Sequence, residues 1–146
     1  MAVRVQAQAF DYGAECAAFA AGARGAGAVV TFAGLVRDNA GALTGMEIEH
    51  YPGMTEKALE THAAEALNRF SLGDVMIIHR YGALGPGEMI MMVATAAPHR
   101  ADAFLGAEFL MDYLKSRAPF WKKEFTRSGA GWVAAKNEDE DALSRW

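Results

Sequence analysis

Val75-Met76-Ile77-Ile78-His79-Arg80-Tyr81 and Glu88-Met89-Ile90-Met91-Met92-Val93-Ala94-Thr95-Ala96-Ala97 are two strand-like apolar runs separated by Gly82-Ala83-Leu84-Gly85-Pro86-Gly87. Three glycines and one proline in the spacer mark a hairpin-type connection, so the two runs read as paired antiparallel strands. Directly after them come Pro98-His99-Arg100 and then a helical stretch from Ala101 to Arg117. Its Phe104, Leu105, Phe109, Met111, Tyr113 and Leu114 span an arc wide enough to predict deep burial. Ala118-Pro119 ends that helix, because the residue before a proline is pushed out of the α region.

Upstream, Leu59, Ala63, Ala66, Leu67 and Phe70 recur at mostly three- and four-residue steps, which predicts an amphipathic helix over Met54 to Arg69 with its apolar stripe against a sheet. Before it, Met46, Ile48 and His50 alternate with Glu47 and Glu49. Thr44 to His50 is therefore a strand with one wet face, closed by Tyr51-Pro52-Gly53. Ala28 to Phe32 reads as a buried strand leading into a turn from Gly34 to Gly41 that displays Arg37. Val3 and Val5 alternate as in a short strand, and Tyr12 to Ala21 reads as a short helix. Near the other end, Phe120 to Phe125 and Gly131 to Ala135 predict a second hairpin across Ser128-Gly129-Ala130, followed by an acidic tail. Helices thus mix with mainly antiparallel strands, an α+β class, and 146 residues with no repeat or linker fit one domain over 1–146.

Composition narrows the function. With 52% hydrophobic and 22% charged residues the chain has the makings of a globular core. A single cysteine, Cys16, excludes an internal disulfide and a cysteine-rich zinc site; it is expected in the core, and the expected compartment is a reducing cytosol. No apolar run reaches the roughly 18 residues of a membrane span, and the first residues lack a signal-type apolar region. The formal net charge of -4 disfavours general binding to nucleic acid. Glu138-Asp139-Glu140-Asp141 holds much of that excess, so a local cationic pocket is compatible with it.

Cations cluster at element ends: Arg37 on its glycine turn, His99-Arg100 at a strand-to-helix junction, Lys115 in the last turn of that helix, and Lys122-Lys123 beyond the terminating proline. Arg offers a planar fork, Lys a movable charge and His a group that titrates near neutrality; together they suit an anion. Each also has a purely structural explanation, since lysines are favoured at helix C-termini and charged residues protect strand edges. Spacing adds a demand. His99 and Lys115 bound the same helix and lie about 24 Å apart at 1.5 Å per residue. One site containing both requires either that the chain after Pro119 folds back or that a second subunit completes it.

Other motifs carry less. Gly22 to Gly27 leads into a strand and lacks the Lys-Ser/Thr of a phosphate loop. His50, His62, His79 and His99 show no metal-ligand spacing, and Cys16 has no nearby histidine, so neither metal nor thiol catalysis is expected.

Phe32-Ala33-Gly34-Leu35-Val36-Arg37, Glu49-His50-Tyr51-Pro52-Gly53-Met54, Ile78-His79-Arg80-Tyr81-Gly82 with Gly85-Pro86-Gly87, Pro98-His99-Arg100, and Met111 to Lys115 through Ala118 to Glu124 follow one another in fixed order. In order and spacing this string resembles the large, catalytic subunit family of molybdopterin synthase, from about Gly27 to Trp146. The resemblance implies an α/β hammerhead fold with an additional antiparallel β subdomain. It also implies a central homodimer with a small ubiquitin-like subunit at each end, a heterotetramer. The activity implied is that of a sulfurtransferase in molybdenum cofactor biosynthesis. The small subunit's Gly-Gly C-terminal thiocarboxylate would donate two sulfurs to cyclic pyranopterin monophosphate, giving the dithiolene of molybdopterin with no metal or redox cofactor.

Carried over by position, Arg37, His99 and Arg100 match the family's substrate-anion contacts and Lys115 and Lys122 its two important lysines, with Lys123 and Glu124 extending the same loop. Lys115 is then expected to hold the thiocarboxylate, and Lys122 to assist proton transfers as the cyclic phosphate opens. Two rivals use the same cations: a module that captures an acidic protein tail without chemistry, and an enzyme acting on a phosphorylated small molecule without a protein donor.

Overall fold

The computed structural model describes residues 1–134 and 136–146. Its strands are β1 (Ala2–Gln6), β2 (Ala28–Leu35), β3 (Leu43–His50), β4 (Asp74–Arg80), β5 (Gly82–Leu84), β6 (Met89–Ala97), β7 (Phe120–Thr126) and β8 (Gly129–Trp132). Its helices are α1 (Tyr12–Gly22), α2 (Met54–Arg69), α3 (Arg100–Ser116) and α4 (Asn137–Ala142), with a final 3₁₀ turn at Leu143–Arg145. One sheet has the order β1-β4-β6-β2 and the other β5-β3-β7-β8. The fold is α+β, and every strand pair except the parallel β1–β4 is antiparallel. None of the described helices is long and apolar enough to cross a membrane.

β4 and β6 pair as expected, and both are buried along almost their whole length because the sheet is covered on both faces. Strand alternation divides their side chains. Val75 and Ile77, with Met91, Val93 and Ala97, pack with α2, α3 and the second sheet in one core. Met76 and Ile78, with Met92, Ala94 and Ala96, pack on Phe19 of α1. Cys16 is half-buried at the margin of that smaller cluster.

The connection between β4 and β6 is not a simple hairpin. Gly82, with φ of 92°, turns the chain out of the first sheet, and β5 pairs with β3 in the second. Leu84 of β5 enters the core, which is what holds the excursion there. The β2 strand also runs three residues beyond Phe32. Gly34 lies in the ladder opposite Met91, where a Cβ would come within 3.3 Å of the Met91 sulfur, so the turn begins only at Val36.

β3 has its predicted wet face, with Leu43, Met46 and Ile48 buried and Thr44, Glu47 and Glu49 exposed. The α2 bounds agree with the periodicity. The α3 helix is one residue offset from expectation, and its deep burial is only partly realised. Phe109 and Leu114 are buried, but Phe104 is 58% and Leu105 41% exposed, because only one arc of α3 faces the sheets. The second hairpin turns earlier than predicted, at Arg127-Ser128, with Gly129 at φ 145° opening β8; Ala135, the predicted end of β8, lies outside the described residues. The acidic tail folds as α4, tied to α3 by Ser116 Oγ donating to the Asp139 carbonyl (2.8 Å) and by the Arg117–Glu140 ion pair (2.6 Å).

Candidate functional site

The chain does fold back after Pro119. Thr55 Oγ1 donates to the Pro119 carbonyl (3.1 Å) and itself accepts from the Tyr51 N–H (2.9 Å). Thr55, fully buried at the start of α2, thereby ties the 118–120 turn to the end of β3. From this anchored turn β7 runs antiparallel to β3 with Lys122 opposite Ile48, which brings Lys122 beside Lys115 at the end of α3. The two lysines flank a cavity of about 290 Å³ whose other walls include Phe32 and Gly34 of β2, Met91 of β6, Met111 of α3 and His79 of β4. The same pair lines a second cavity of about 160 Å³, whose walls also include Lys136 and Asp139.

Burial sets the electrostatics of the pair. Taking the Lys122 ammonium out of water and placing it near Lys115 push its pKa down to about 8, against the opposing pull of Asp139 and Glu124. His79 is pushed down to about 3, by burial first and then by the Lys122, Lys115 and His50 charges, against its hydrogen bond to the Arg80 carbonyl. The cavity thus combines an exposed ammonium, a half-buried one that titrates near neutrality, and an uncharged imidazole.

The remaining sequence-predicted residues are dispersed. Lys123 points to the opposite face of β7, its ammonium 5.5 Å from the Trp132 ring. Glu124 is close enough to raise the Lys122 pKa, yet it lines an open depression of about 460 Å³ on the β7–β8 hairpin. That depression is larger than the lysine cavity but lacks cationic groups. Arg37 is exposed, two residues beyond the cavity-lining Leu35. His99 stands at the N-cap position of α3, without a side-chain capping hydrogen bond, and Arg100 is next to it, both exposed. They adjoin Ala97, which pairs with the first residue of β2, whereas the cavity lies at the β2 end that pairs with Met89 and Met91. Among the described residues, none of these three side chains has an ion-pair partner.

Sequence reasoning passed over His79, Asp139 and Lys136. The one sequence signal for the histidine is the alternation Val75, Ile77, His79, which points it to the core face but does not distinguish a packed ring from a cavity wall. Among the described residues, no cluster of three or more His, Cys, Asp or Glu is arranged to hold a metal ion.

The two-sheet α+β fold defines a recognisable class: the chain belongs to the family described as MoaE protein, whose profile matches residues 5–117. It is 68% identical over 146 residues to the molybdopterin synthase catalytic subunit of Cereibacter sphaeroides, covering 100% of both chains. Among solved structures it is similar to the molybdopterin biosynthesis MoaE protein from Burkholderia ambifaria, with 54% identity, a TM-score of 0.85 and coverage of 100% of this chain and 98% of that one. The molybdopterin synthase structure from Staphylococcus aureus aligns with a TM-score of 0.79 at 27% identity, over 90% of this chain and 96% of that one.

Proposed function

We propose that this chain is the catalytic subunit of a molybdopterin synthase, moving sulfur from the C-terminal thiocarboxylate of a small ubiquitin-like partner to cyclic pyranopterin monophosphate. The observation that carries the reading is the Lys115–Lys122 pair across a cavity of about 290 Å³. A phosphorylated substrate and an anionic protein tail both need cations there. An ammonium with a pKa near 8 also suits proton transfer close to neutral pH. Lys115 holds the thiocarboxylate and the anion that develops as sulfur is transferred. Lys122 assists the proton movements as the cyclic phosphate opens and water leaves.

Arg37, His99 and Arg100 bind substrate anions in this reading. With α3 rigid, His99 and Arg100 reach a lysine cavity only from a second copy of the chain. Support for a homodimer comes from exposed Phe32 and Leu35 on β2 together with Phe104 and Leu105 on α3, apolar side chains on two elements that touch each other. With a small subunit at each end the assembly is a heterotetramer, and its place is the cytoplasm. The core shared by both sheets supports a single domain over 1–146.

The test mixes the purified chain with cyclic pyranopterin monophosphate and a thiocarboxylated small subunit and measures molybdopterin as its fluorescent oxidation product. Product is expected only when all three are present. Donor binding without product would favour a tail-capturing module. Conversion of the pterin without the donor would favour an unrelated enzyme.

A further inference from the structure

His79 is the one cavity wall that is polar, uncharged and fixed on every side. Its backbone sits in the middle of the first sheet, opposite Val5 of β1 and Met91 of β6. Its ring stacks on Phe120, centroids 3.7 Å apart and planes 15° apart, and the residue is only 2% exposed. Nδ1 lies 2.8 Å from the Arg80 carbonyl oxygen. A carbonyl can only accept, so Nδ1 carries the proton and Nε2 the lone pair. Arg80 cannot drift, because its guanidinium donates twice to the Ala7 carbonyl (3.1 and 2.9 Å) and pairs with Glu88 (3.2 Å) on the other side of the strand. The tautomer is therefore built in.

Nε2 makes no hydrogen bond within the described residues. It is not sealed off either: the described residues contain one buried side-chain polar atom without a partner, and that is His62 Nε2. His79 lines the lysine cavity, so its free lone pair is served from there. The titratable groups that act on it are Lys122 of β7, Lys115 of α3 and His50 of β3. Burial first, and then these neighbours, oppose a positive imidazole, so the ring stays an acceptor across the neutral pH range.

We propose that His79 is a substrate-contacting residue whose Nε2 accepts a hydrogen bond from an N–H or O–H of the phosphorylated heterocycle, while the anionic groups rest on Lys115 and Lys122. The inference rests on the function proposed above. Its consequence is selectivity: the lysines recognise any small anion, whereas the imidazole recognises a donor held at a fixed distance from that anion. A bare phosphate satisfies only half of the cavity.

The test compares cyclic pyranopterin monophosphate with inorganic phosphate, both titrated anaerobically into the full chain carrying ¹⁵N-labelled histidine. The expected result is an upfield shift of the His79 Nε2 resonance with the pterin and none with phosphate. In parallel, His79→Phe keeps the stacking ring but removes both nitrogens, and His79→Gln keeps an acceptor. His79→Phe should weaken pterin binding about tenfold and leave phosphate affinity unchanged, with His79→Gln within about threefold of the parent. A resonance that stays still while the pterin binds would overturn the proposal, and so would equal losses for pterin and phosphate in His79→Phe. Should that variant not fold, the resonance in the unaltered chain decides. Phosphate binding without pterin binding in the unaltered chain would instead overturn the proposed function.

Discussion

The ammonium of Lys115, on the last turn of α3, helps hold the ammonium of Lys122, on β7, at a pKa near 8. Removing Lys115 therefore raises the Lys122 pKa. We expect Lys115→Ala to shift the pH midpoint of Lys122 labelling by an amine-reactive reagent, followed by peptide mass spectrometry, to higher pH. Molybdopterin formation should fall on the order of a hundredfold or more. Unchanged turnover with the donor complex intact would remove Lys115 from its assigned role.

The lowered pKa of Lys122 has two pH consequences of opposite sign. Below about 8 the group is a cation in the folded chain, so affinity for sulfate, whose own charge does not change in this range, should be flat well below that pH and fall as pH rises through about 8. Stability moves the other way. An unfolded lysine keeps its proton to about 10.4, so between about 8 and 10 the unfolded chain holds more protons and folding gains with rising pH. Lys122→Met should lose this gain, on the order of 2 kcal/mol, in urea midpoints compared at pH 7.5 and 10.

Gly27 is required by close approach. Its N–H donates to the Ala97 carbonyl (3.0 Å), and a Cβ there would strike the Pro98 carbonyl oxygen. Gly27→Ala should cost about 2 kcal/mol of stability, seen as a lower thermal midpoint. Because the displaced backbone leads into His99 and Arg100, pterin affinity should fall with it, whereas Gly22→Ala, in a helix and with open space around it, should lower neither.

Trp146 closes the core from the chain's end. Its ring meets Phe70 and Phe109 edge-on, both at 5.5 Å, its Nε1 donates to Asp112 (2.5 Å), and Arg69 donates to its carbonyl oxygen (2.8 Å). Trp146→Ala should destabilise by about 3 kcal/mol, the range for truncating a packed aromatic, read from urea melts. Removing this packing also loosens α4, so the Lys122 pKa should fall as Asp139 moves away.

Which parts of the molecule were legible in sequence follows from how local their causes are. The α2 helix is written in its own periodicity and capped by Glu56 accepting from the Gly53 N–H (2.6 Å), so its bounds could be read directly. The pairing of β4 with β6 was equally plain. The β5 excursion, the extra length of β2 and the folding of the acidic tail were not, because each is decided by a distant partner: β3, Met91 and α3 respectively. At the site, the lysines stood out as cations flanking a helix-ending proline, and the chain does bring those two together. His79 did not stand out, since its importance lies in where Nε2 opens and in the fixed carbonyl of Arg80.

The α3 helix separates Arg100 from Lys115 by a rigid span of about 22 Å, and no rotamer change closes it. In genetic terms, defects at its two ends should complement each other if each catalytic centre draws one end from either copy. Co-expressing an Arg100→Ala chain with a Lys115→Ala chain should yield mixed dimers with one fully intact centre and one doubly damaged, recovering activity that neither mutant dimer has alone. If each chain instead assembled its centre from its own residues, every centre in the mixture would carry one lesion and activity would stay lost.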